Sequence, residues 1–309
     1  MMLPLYSDGN RYYSFDLFCK QTFGGKTAKI PIDGGFSCPN RDGTVSSSGC
    51  LSCSDKGSGD FCGDGSISDQ VKMFIDGKSQ YNTDGKWHNC DRYIAFFQSF
   101  SNTYAPIDIL LSKYEEALSA SEKIVGLAIA TRADCIDEAK TELLAQLCSR
   151  TFVWVELGLQ TVHEQTRRAM NIGYSMEDFR IGYDILRKYN IPTVLHLIFG
   201  LPGETDEDML ATVDYAASLN PFGVKFHQLM ILHGTPLETL YHSGQIPPLT
   251  QEHYTNLVAE AILRLPHSTV IHRMSSDAAA DDIIAPDWSR DKIKTLNMVR
   301  HKLKIIHNS

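Results

Sequence analysis

The stretch from Lys123 to Leu159 reads KIVGLAIATRADCIDEAKTELLAQLCSRTFVWVELGL and contains one complete unit of a repeating pattern of apolar and amphipathic segments. Residues 123–130 and 151–159 are mostly apolar or small, which predicts two buried strands. Between them, residues 136–148 carry leucines at helical spacing, which predicts an amphipathic helix. A strand, a helix and a second strand in this order are typical of two parallel strands joined by a crossover.

The same alternation extends along the chain in both directions. Further strands are predicted at Ala28–Asp33, Arg92–Phe97, Ile191–Phe199 and Gly223–Leu232. Helices are predicted at Ser68–Gln80, Asp108–Ala120, His163–Met170, Met176–Tyr189 and Thr205–Leu219. About six βα repeats fit either an open doubly wound sheet or a closed or partial barrel. In both architectures the functional residues gather at the C-terminal ends of the strands.

The pattern changes after about Pro247. A helix at Gln251–Leu265 is followed by a short strand at Thr269–Arg273 and by a closing helix that begins near Ser289. We therefore predict a main domain, residues 1–265, and a C-terminal α/β extension, residues 266–309. Residues 290–309 carry six Lys or Arg and one Asp, which gives a net charge of +5. Because the whole chain has a net charge of −8, residues 1–289 have a net charge of −13.

Composition excludes several classes of protein. Hydrophobic residues make up 43% of the chain and charged residues 21%, which is ordinary for a folded globular protein. No apolar stretch approaches the ~20 residues that cross a bilayer, and the N-terminus lacks the pattern of a signal peptide. We therefore expect a cytoplasmic protein with no membrane partner. The net charge of −8 argues against nucleic-acid binding by the whole surface.

Eight cysteines all lie in the N-terminal half, and Cys38, Cys50 and Cys53 are crowded into one short segment. The residues between them are mostly Gly, Ser, Asp, Asn and Pro, which favour a loop around an ion or a cluster. Three thiolates can hold a [4Fe–4S] cluster and leave one iron free, whereas structural zinc takes four ligands. Cys62 and His88 could complete a zinc site, so zinc remains an alternative.

Several motifs together resemble the radical S-adenosylmethionine (SAM) superfamily. They are the three-cysteine loop after the first strand, Phe97–Pro106 (FQSFSNTYAP), Ala130–Asp134 (ATRAD), Val155–Thr161 (VELGLQT) and His196–Thr205 (HLIFGLPGET). More closely, the chain resembles the YhcC/YtqA-like branch, a relative of the radical domain of the Elongator catalytic subunit. The resemblance runs from residue 30 to near residue 290 and implies a partial (β/α)6 TIM-like barrel with a C-terminal α/β extension.

The resemblance also implies two cofactors. Cys38, Cys50 and Cys53 would bind three irons of a [4Fe–4S] cluster, and SAM would chelate the fourth iron through its amine and carboxylate. Reductive cleavage of SAM would then give a 5′-deoxyadenosyl radical that takes a hydrogen atom from the substrate. The protein would contribute orientation, cluster potential and exclusion of water, because the difficult chemistry belongs to the cofactors.

Polar residues and glycines at the strand ends are candidate SAM ligands. Arg132 could pair with the methionine carboxylate and Glu156 could accept hydrogen bonds from the ribose or the amine, unless the two simply pair with each other. Gly200 would let the backbone approach the adenine closely, unless Gly200–Gly203 is an ordinary Pro-Gly turn. Further candidates for SAM contacts are Gln98, Asn102, Thr103 and Gln160.

His196 and His227 lie inside strands that are otherwise apolar. Such histidines are often hydrogen-bonded core residues, which is one interpretation here. The other is that both side chains face the barrel interior, where the substrate must meet the radical. We therefore predict them as candidate catalytic residues that contact substrate or transfer protons.

The sequence thus predicts a radical SAM enzyme, and kinship to the Elongator subunit and to Gram-positive relatives associated with wobble-uridine maturation suggests tRNA as substrate. The basic C-terminal helix is compatible with phosphate contacts, although a solvated amphipathic helix explains it equally well. We expect an electron donor such as flavodoxin or ferredoxin. Two alternatives are a radical reaction on a small molecule or protein side chain, and a zinc-stabilised binding module without catalysis.

Overall fold

A computed structural model describes residues 4–57, 59–79, 87 and 89–308. Strands and helices alternate along most of this part of the chain. The strands are β1 (Thr27–Ile32), β2 (Arg92–Phe97), β3 (Ile124–Thr131), β4 (Phe152–Gln160), β5 (Thr193–Phe199), β6 (Gly223–Gln228), β7 (Ile231–Leu232), β8 (Val270–Arg273) and β9 (Ile283–Ala285). The α-helices are α1 (Phe15–Phe23), α2 (Ile67–Ile75), α3 (Ile107–Ser119), α4 (Glu138–Cys148), α5 (Glu164–Ala169), α6 (Met176–Lys188), α7 (Asp206–Ser218), α8 (Pro236–His242), α9 (Gln251–Arg264) and α10 (Lys292–Asn308).

Seven parallel strands form the main sheet, in the order β1-β2-β3-β4-β5-β6-β8. Strands that follow one another in sequence are neighbours in space, as the βα alternation predicts. β1 and β8 are the two edges, so the sheet is a half-barrel with helices. The predicted partial barrel is therefore confirmed, and the expectation of six strands is extended by one.

The seventh strand comes from the predicted C-terminal extension. β8 pairs with β6, and the short strands β7 and β9 form a separate antiparallel pair. The last helix, α10, packs against α9 and buries Val299 and Leu303. The strand and the basic helix of the extension are both present, and the boundary at residue 265 stays a prediction.

The helices begin where the sequence provides caps. Ser175 and Thr205 each form a capping box at the start of α6 and α7, with Asp178 and Asp208 completing it three residues later. The loop after β4 spans only residues 161–163 before α5, and the loop after β5 spans residues 200–205, where Thr205 caps α7. The C-terminal strand ends are therefore held close to rigid helices, and they form the rim where the candidate site lies. In the described part of the chain, no helix is both apolar and long enough to cross a bilayer.

The two faces of the sheet are packed differently. One face packs against the helices through a large apolar core, which includes Leu127, Val153 and Leu195. Successive side chains of a strand point to opposite faces. A second, smaller apolar cluster consists of Ile94, Phe96, Ala128, Trp154 and Val194. Glu156 and His196 each lie two residues beyond a member of that cluster and so share its face, nearer the strand ends.

Candidate functional site

One cavity of about 330 Å³ opens at the C-terminal strand ends. It is bordered by residues from the loop after β1 and from β2, β3, β4, β5, β6 and β8 or their C-terminal ends. Nine of the twelve site residues predicted from sequence lie on its wall: Cys38, Cys50, Cys53, Gln98, Arg132, Glu156, Gln160, His196 and His227. The fold therefore brings residues more than 150 positions apart to a single place.

The cysteine loop, residues 38–53, is fastened to the segment that follows α5. Asn40 donates from Nδ2 to the carbonyl of Asn171 at 2.7 Å, and the amide of Leu51 donates to the carbonyl of Met170 at 3.0 Å. In return Asn171 donates from Nδ2 to the carbonyl of Gly49 at 2.6 Å. A Gly/Ser-rich loop lacks the regular backbone hydrogen bonds of a helix or a sheet. Here side-chain amides supply hydrogen bonds instead, and they hold the backbone of the cysteine loop in place.

Arg41 closes the other end of the cysteine loop. Its guanidinium donates to the carbonyls of Cys53 and Ser54, at 2.9 and 2.6 Å. Burial raises the pKa of Cys50 to about 11, and it also raises the pKa of Cys53 although Arg41 opposes the shift. These two thiols are therefore protonated at neutral pH in the metal-free protein, and a metal must displace their protons to bind.

The chemistry of the donor set tests whether these residues fit an iron–sulfur cluster. All three thiols reach one cavity, and soft thiolate ligands favour iron–sulfur clusters and zinc over harder metals. The buried hydroxyl of Ser101, on the same wall, has no hydrogen-bond partner within the described residues. An unpartnered polar atom beside three thiols fits a site built to receive a polar group.

The zinc alternative draws no support from Cys62. Its thiol lies against Ser99 Oγ at 3.4 Å and Gln98 Nε2 at 3.7 Å, and His88 lies outside the described residues. Burial raises the pKa of Cys62 to about 11. Within residues 4–57, 59–79, 87 and 89–308, no three His, Cys, Asp or Glu side chains, the three loop cysteines included, are close enough together to hold a single metal ion.

Arg132 and Glu156 do not pair with each other, so that alternative is wrong. The guanidinium of Arg132 makes a two-pronged contact with Asp134, at 2.9 and 2.7 Å, and donates to the carbonyl of Ile172 at 2.8 Å. It also lies 4.7 Å from the ring centre of Tyr174. Arg132 thus holds the segment to which the cysteine loop is fastened, and its contact with a methionine carboxylate stays a prediction.

Glu156 is the centre of a buried charge cluster. Its carboxylate accepts from Lys29 at 2.7 Å, from His196 at 3.0 Å, from the indole of Trp154 at 3.1 Å, and from Lys225. Burial alone would raise the pKa of Glu156, but Lys225 and Lys29 hold it well below its ordinary value. The carboxylate is therefore ionised, and each of its oxygens already accepts from two donors, so its contact with SAM stays a prediction.

The two lysines of this cluster were missed by the sequence analysis. Lys29 lies 4.7 to 4.9 Å from the ring centres of Phe15, Phe96 and Trp154, and Lys225 lies 4.5 Å from that of Phe96. Burial lowers the pKa of both amines, because one carboxylate cannot fully compensate two ammonium groups. A lysine inside an otherwise apolar parallel strand was the available signal.

His196 and His227 both face the cavity, with ring centres 5.0 Å apart. Burial, aided by the charge of Lys225, lowers the pKa of His196 to about 4, and burial lowers that of His227 well below its ordinary value. His227 Nδ1 lies 3.3 Å from Ser276 Oγ, and its Nε2 has no partner within the described residues. Both imidazoles are neutral at pH 7 and can accept a proton or a hydrogen bond.

Asn102 and Thr103 do not lie on the cavity wall. Asn102 donates from Nδ2 to the carbonyl of Ala130 at 2.8 Å. Thr103 Oγ1 lies 2.7 Å from Thr131 Oγ1 and donates to the carbonyl of Cys135 at 2.9 Å. These contacts tie the loop after β2 to the end of β3, so the two side chains shape the rim, and their contact with SAM stays a prediction.

Gly200 is also away from the cavity wall. Its φ is +88°, and a Cβ added there would meet the side chain of Leu249 at 3.1 Å. The need for glycine is thus explained by the turn and by a leucine, while an approach to adenine stays a prediction. Gln98 and Gln160 do line the cavity, and Gln160 adopts a φ of +63° at an irregularity in the β4–β5 register.

Comparisons with known proteins agree with this geometry. Residues 84–216 match the family model described as the radical SAM superfamily, and residues 221–305 match the radical SAM C-terminal domain. The chain is 39% identical to the uncharacterized protein YtqA of Bacillus subtilis over 97% of this chain and 92% of that protein. It is 32% identical to protein YhcC of Escherichia coli over 87% of this chain and 85% of that protein.

Two more distant similarities extend the comparison. The chain is 28% identical to a tRNA uridine(34) acetyltransferase of Dehalococcoides mccartyi over 63% of this chain and 44% of that protein. The solved structure of Elp3 from Methanocaldococcus infernus superposes with a TM-score of 0.61 at 16% identity, over 88% of this chain and 62% of that one. This chain is a radical SAM enzyme and belongs to the YhcC/YtqA-like branch of the radical SAM superfamily.

Proposed function

We propose that Cys38, Cys50 and Cys53 hold a [4Fe–4S] cluster, that the enzyme cleaves SAM reductively, and that it modifies the side chain of a wobble uridine in tRNA. Membership in the superfamily implies both cofactors. The single observation that supports the assignment most strongly is that the three thiols, the ionised Glu156 and two neutral histidines line one cavity. Bound there, the cofactors supply electron transfer and a radical that abstracts hydrogen.

The residues of the chain bind and orient. Glu156 is ionised and accepts hydrogen bonds from His196 and Lys225, so it holds these two side chains in place on the cavity wall. His196 and His227 are neutral, so each can accept a proton released near the reacting carbon. The apolar cluster below these side chains, which includes Phe96 and Trp154, closes the floor of the cavity.

Two observations favour tRNA as the substrate. A relative that is 28% identical over 203 residues is named for acetylation of uridine 34 of tRNA. In addition, α10 carries Lys294 and Lys304, both exposed and neither with an ionic partner in the described part of the chain. By contrast Lys292 pairs with Asp277 and Lys302 pairs with Glu252, so they are less available to phosphate. The two free lysines are therefore the proposed phosphate contacts.

Binding to bulk unmodified tRNA, measured by filter retention over a range of salt concentrations, tests this assignment. The double variant Lys294→Glu/Lys304→Glu should bind at least tenfold more weakly at low salt, and its salt slope should fall by about two, one per lost contact. The control Lys72→Glu/Arg168→Glu changes two exposed cations outside α10 and should bind as the wild type does. Unchanged affinity and slope in the α10 variant would contradict the assignment.

A radical reaction on a small molecule or protein side chain is the second candidate. The −13 charge of residues 1–289 favours it, because an acidic surface repels tRNA everywhere except at the basic helix. Release of 5′-deoxyadenosine by the reconstituted enzyme, compared between bulk tRNA and a metabolite extract, separates the two. Stimulation by tRNA alone supports the first candidate, and stimulation by the extract alone supports the second.

A further inference from the structure

The cavity has a second polar region at the edge of the sheet formed by β8. Arg273 is the last residue of β8 and lies in register with Lys225 on β6. Both residues line the cavity, together with His227 and Ser276. This region is built from β6, β8 and the segment after β8, whereas the three cysteines lie in the loop after β1.

Every other charged side chain on the cavity wall has an ionic partner. Arg132 pairs with Asp134, and Lys225 pairs with Glu156. Of the two acidic residues, Asp277 pairs with Lys292, and Asp60 lies 4.0 Å from Lys56. Apart from Arg273, the charged residues that line the cavity are Arg132, Glu156, Lys225, Asp60 and Asp277. Arg273 is half-buried and has neither a hydrogen-bond acceptor nor an acidic partner within the described residues.

The surroundings of Arg273 are short of negative charge. Glu156 is the only carboxylate in contact with Lys29 and Lys225 within the described residues, so adding Arg273 leaves three cations near one anion. The charge of Arg273 contributes to the lowered pKa values of Lys225, His196 and His227. The planar fork of a guanidinium matches the two oxygens of a carboxylate or phosphate.

We propose that Arg273 forms an oxyanion subsite that binds an acidic group, a carboxylate or a phosphate, of the substrate. This inference rests on the proposed radical SAM function, and it narrows the substrate to a molecule with an oxyanion near the atom that loses hydrogen. Arg132, the arginine beside the cysteines, is occupied by Asp134, whereas Arg273 lines the cavity together with His227, the residue proposed to accept a proton near the reacting carbon. We therefore assign the subsite to the substrate.

The test uses the full chain without cluster or SAM, so its result can be read even if the proposed function fails. The unfolding midpoint is measured with acetate or inorganic phosphate and compared with chloride at equal ionic strength. A bound anion raises the midpoint by mass action. The wild type should be stabilised by at least one of the two anions, and the identity of that anion distinguishes a carboxylate site from a phosphate site.

Arg273→Gln should lose most of this stabilisation, and Arg273→Lys should keep part of it because it retains charge without the fork. Arg180→Gln, which removes an exposed arginine from α6, should keep all of it. A wild-type protein that neither anion stabilises, or an Arg273→Gln variant that is stabilised as much as the wild type, would overturn the proposal. Because Arg273 has no described partner, Arg273→Gln should fold.

A second measurement distinguishes the substrate from SAM as the source of the anion. After anaerobic reconstitution, SAM binding to wild type and to Arg273→Gln is measured by equilibrium dialysis. Dissociation constants that agree within about twofold support a substrate subsite. A loss of tenfold or more, about 1.4 kcal/mol, would show that Arg273 binds the carboxylate of SAM and would overturn the assignment to substrate.

Discussion

The cysteine loop and the Glu156 cluster face the same cavity, but different forces hold them. The loop is fastened by hydrogen bonds from Asn40, Arg41 and Asn171 to backbone carbonyls. The Glu156 cluster is held by ion pairs of the carboxylate with Lys29 and Lys225. A hydrogen bond from His196 adds a contact from a fourth strand. The loop therefore depends on backbone shape, whereas the cluster depends on charge balance inside the fold.

This difference predicts which region couples to the stability of the protein. Hydrogen bonds of a surface loop contribute about 1 kcal/mol each and can be lost locally. A buried carboxylate shared by two lysines cannot lose its charge without leaving uncompensated cations in the sheet. Changes in the loop should therefore affect cofactor binding with little effect on folding, and changes at Glu156 should affect folding first.

The largest expected effect is on the loop. Cys50→Ala removes one of three thiols, so the reconstituted variant should lose nearly all bound iron and labile sulfide. Its urea unfolding should stay close to that of the wild type, because the loop lies outside the sheet. Cys148→Ala, on α4, is the control and should keep its iron. A Cys50→Ala protein that still binds a full complement of iron would contradict the assignment of the loop.

Glu156→Gln should have the largest effect on stability. It leaves Lys29 and Lys225 buried without a countercharge, which should cost about 3 to 5 kcal/mol in the free energy of unfolding. The matched control is Glu115→Gln, which breaks an exposed pair with Arg150 and should cost less than about 1 kcal/mol. Urea denaturation measures both values. Equal losses in the two variants would show that the buried cluster does not stabilise the fold.

Gly173→Ala tests the support beneath the cysteine loop. Gly173 has a φ of +78°, and an added Cβ would meet Asn40 Oδ1 at 2.3 Å, so the substitution should displace Asn40. The expected cost is about 2 kcal/mol, with weaker iron retention. Gly203→Ala is the control, because its φ is +84° and nothing lies within 4 Å of the added Cβ. It should show backbone strain alone and retain iron; equal iron loss in both would contradict the role of Asn40.

The smallest expected effect is a pH dependence at His196. Its pKa is lowered to about 4 in the folded protein, so the unfolded chain binds more protons between pH 4 and its ordinary pKa near 6.5. The contribution of the neutral His196 to the free energy of unfolding is fully present above the ordinary pKa and is lost as the pH falls toward 4. Between about pH 7 and 5.5 this loss amounts to about 1 kcal/mol. His196→Gln should lose correspondingly less stability over that interval in urea denaturation, and an unchanged pH dependence would contradict the burial of a neutral imidazole.

Much of the fold could be predicted because its signals are local. The run of apolar residues at 123–130, the leucines at 136–148 and the next strand at 151–159 specify a βα repeat. The three cysteines are equally visible, since they lie in one Gly/Ser-rich loop. The edge position of β8 was less visible, because a four-residue strand in an extension does not reveal which sheet it joins.

The charge cluster could not be predicted, because it is made by register and not by sequence proximity. Glu156 is 127 residues from Lys29 and 69 from Lys225, and only the pairing of the strands brings them to one face. Polarity alone was also insufficient at the strand ends. Asn102 and Thr103 are as polar as Gln98, yet they form hydrogen bonds to the end of β3 and to the segment after it. These bonds direct the two side chains away from the cavity.

The most direct test of the proposed cluster is a metal and sulfide analysis of the anaerobically reconstituted protein, with its absorption recorded before and after SAM is added. A [4Fe–4S] cluster predicts about four irons and four labile sulfides per chain. It also predicts a change in the thiolate-to-iron charge-transfer absorption when SAM binds the free iron. Zinc without labile sulfide, or a spectrum that SAM leaves unchanged, would contradict it.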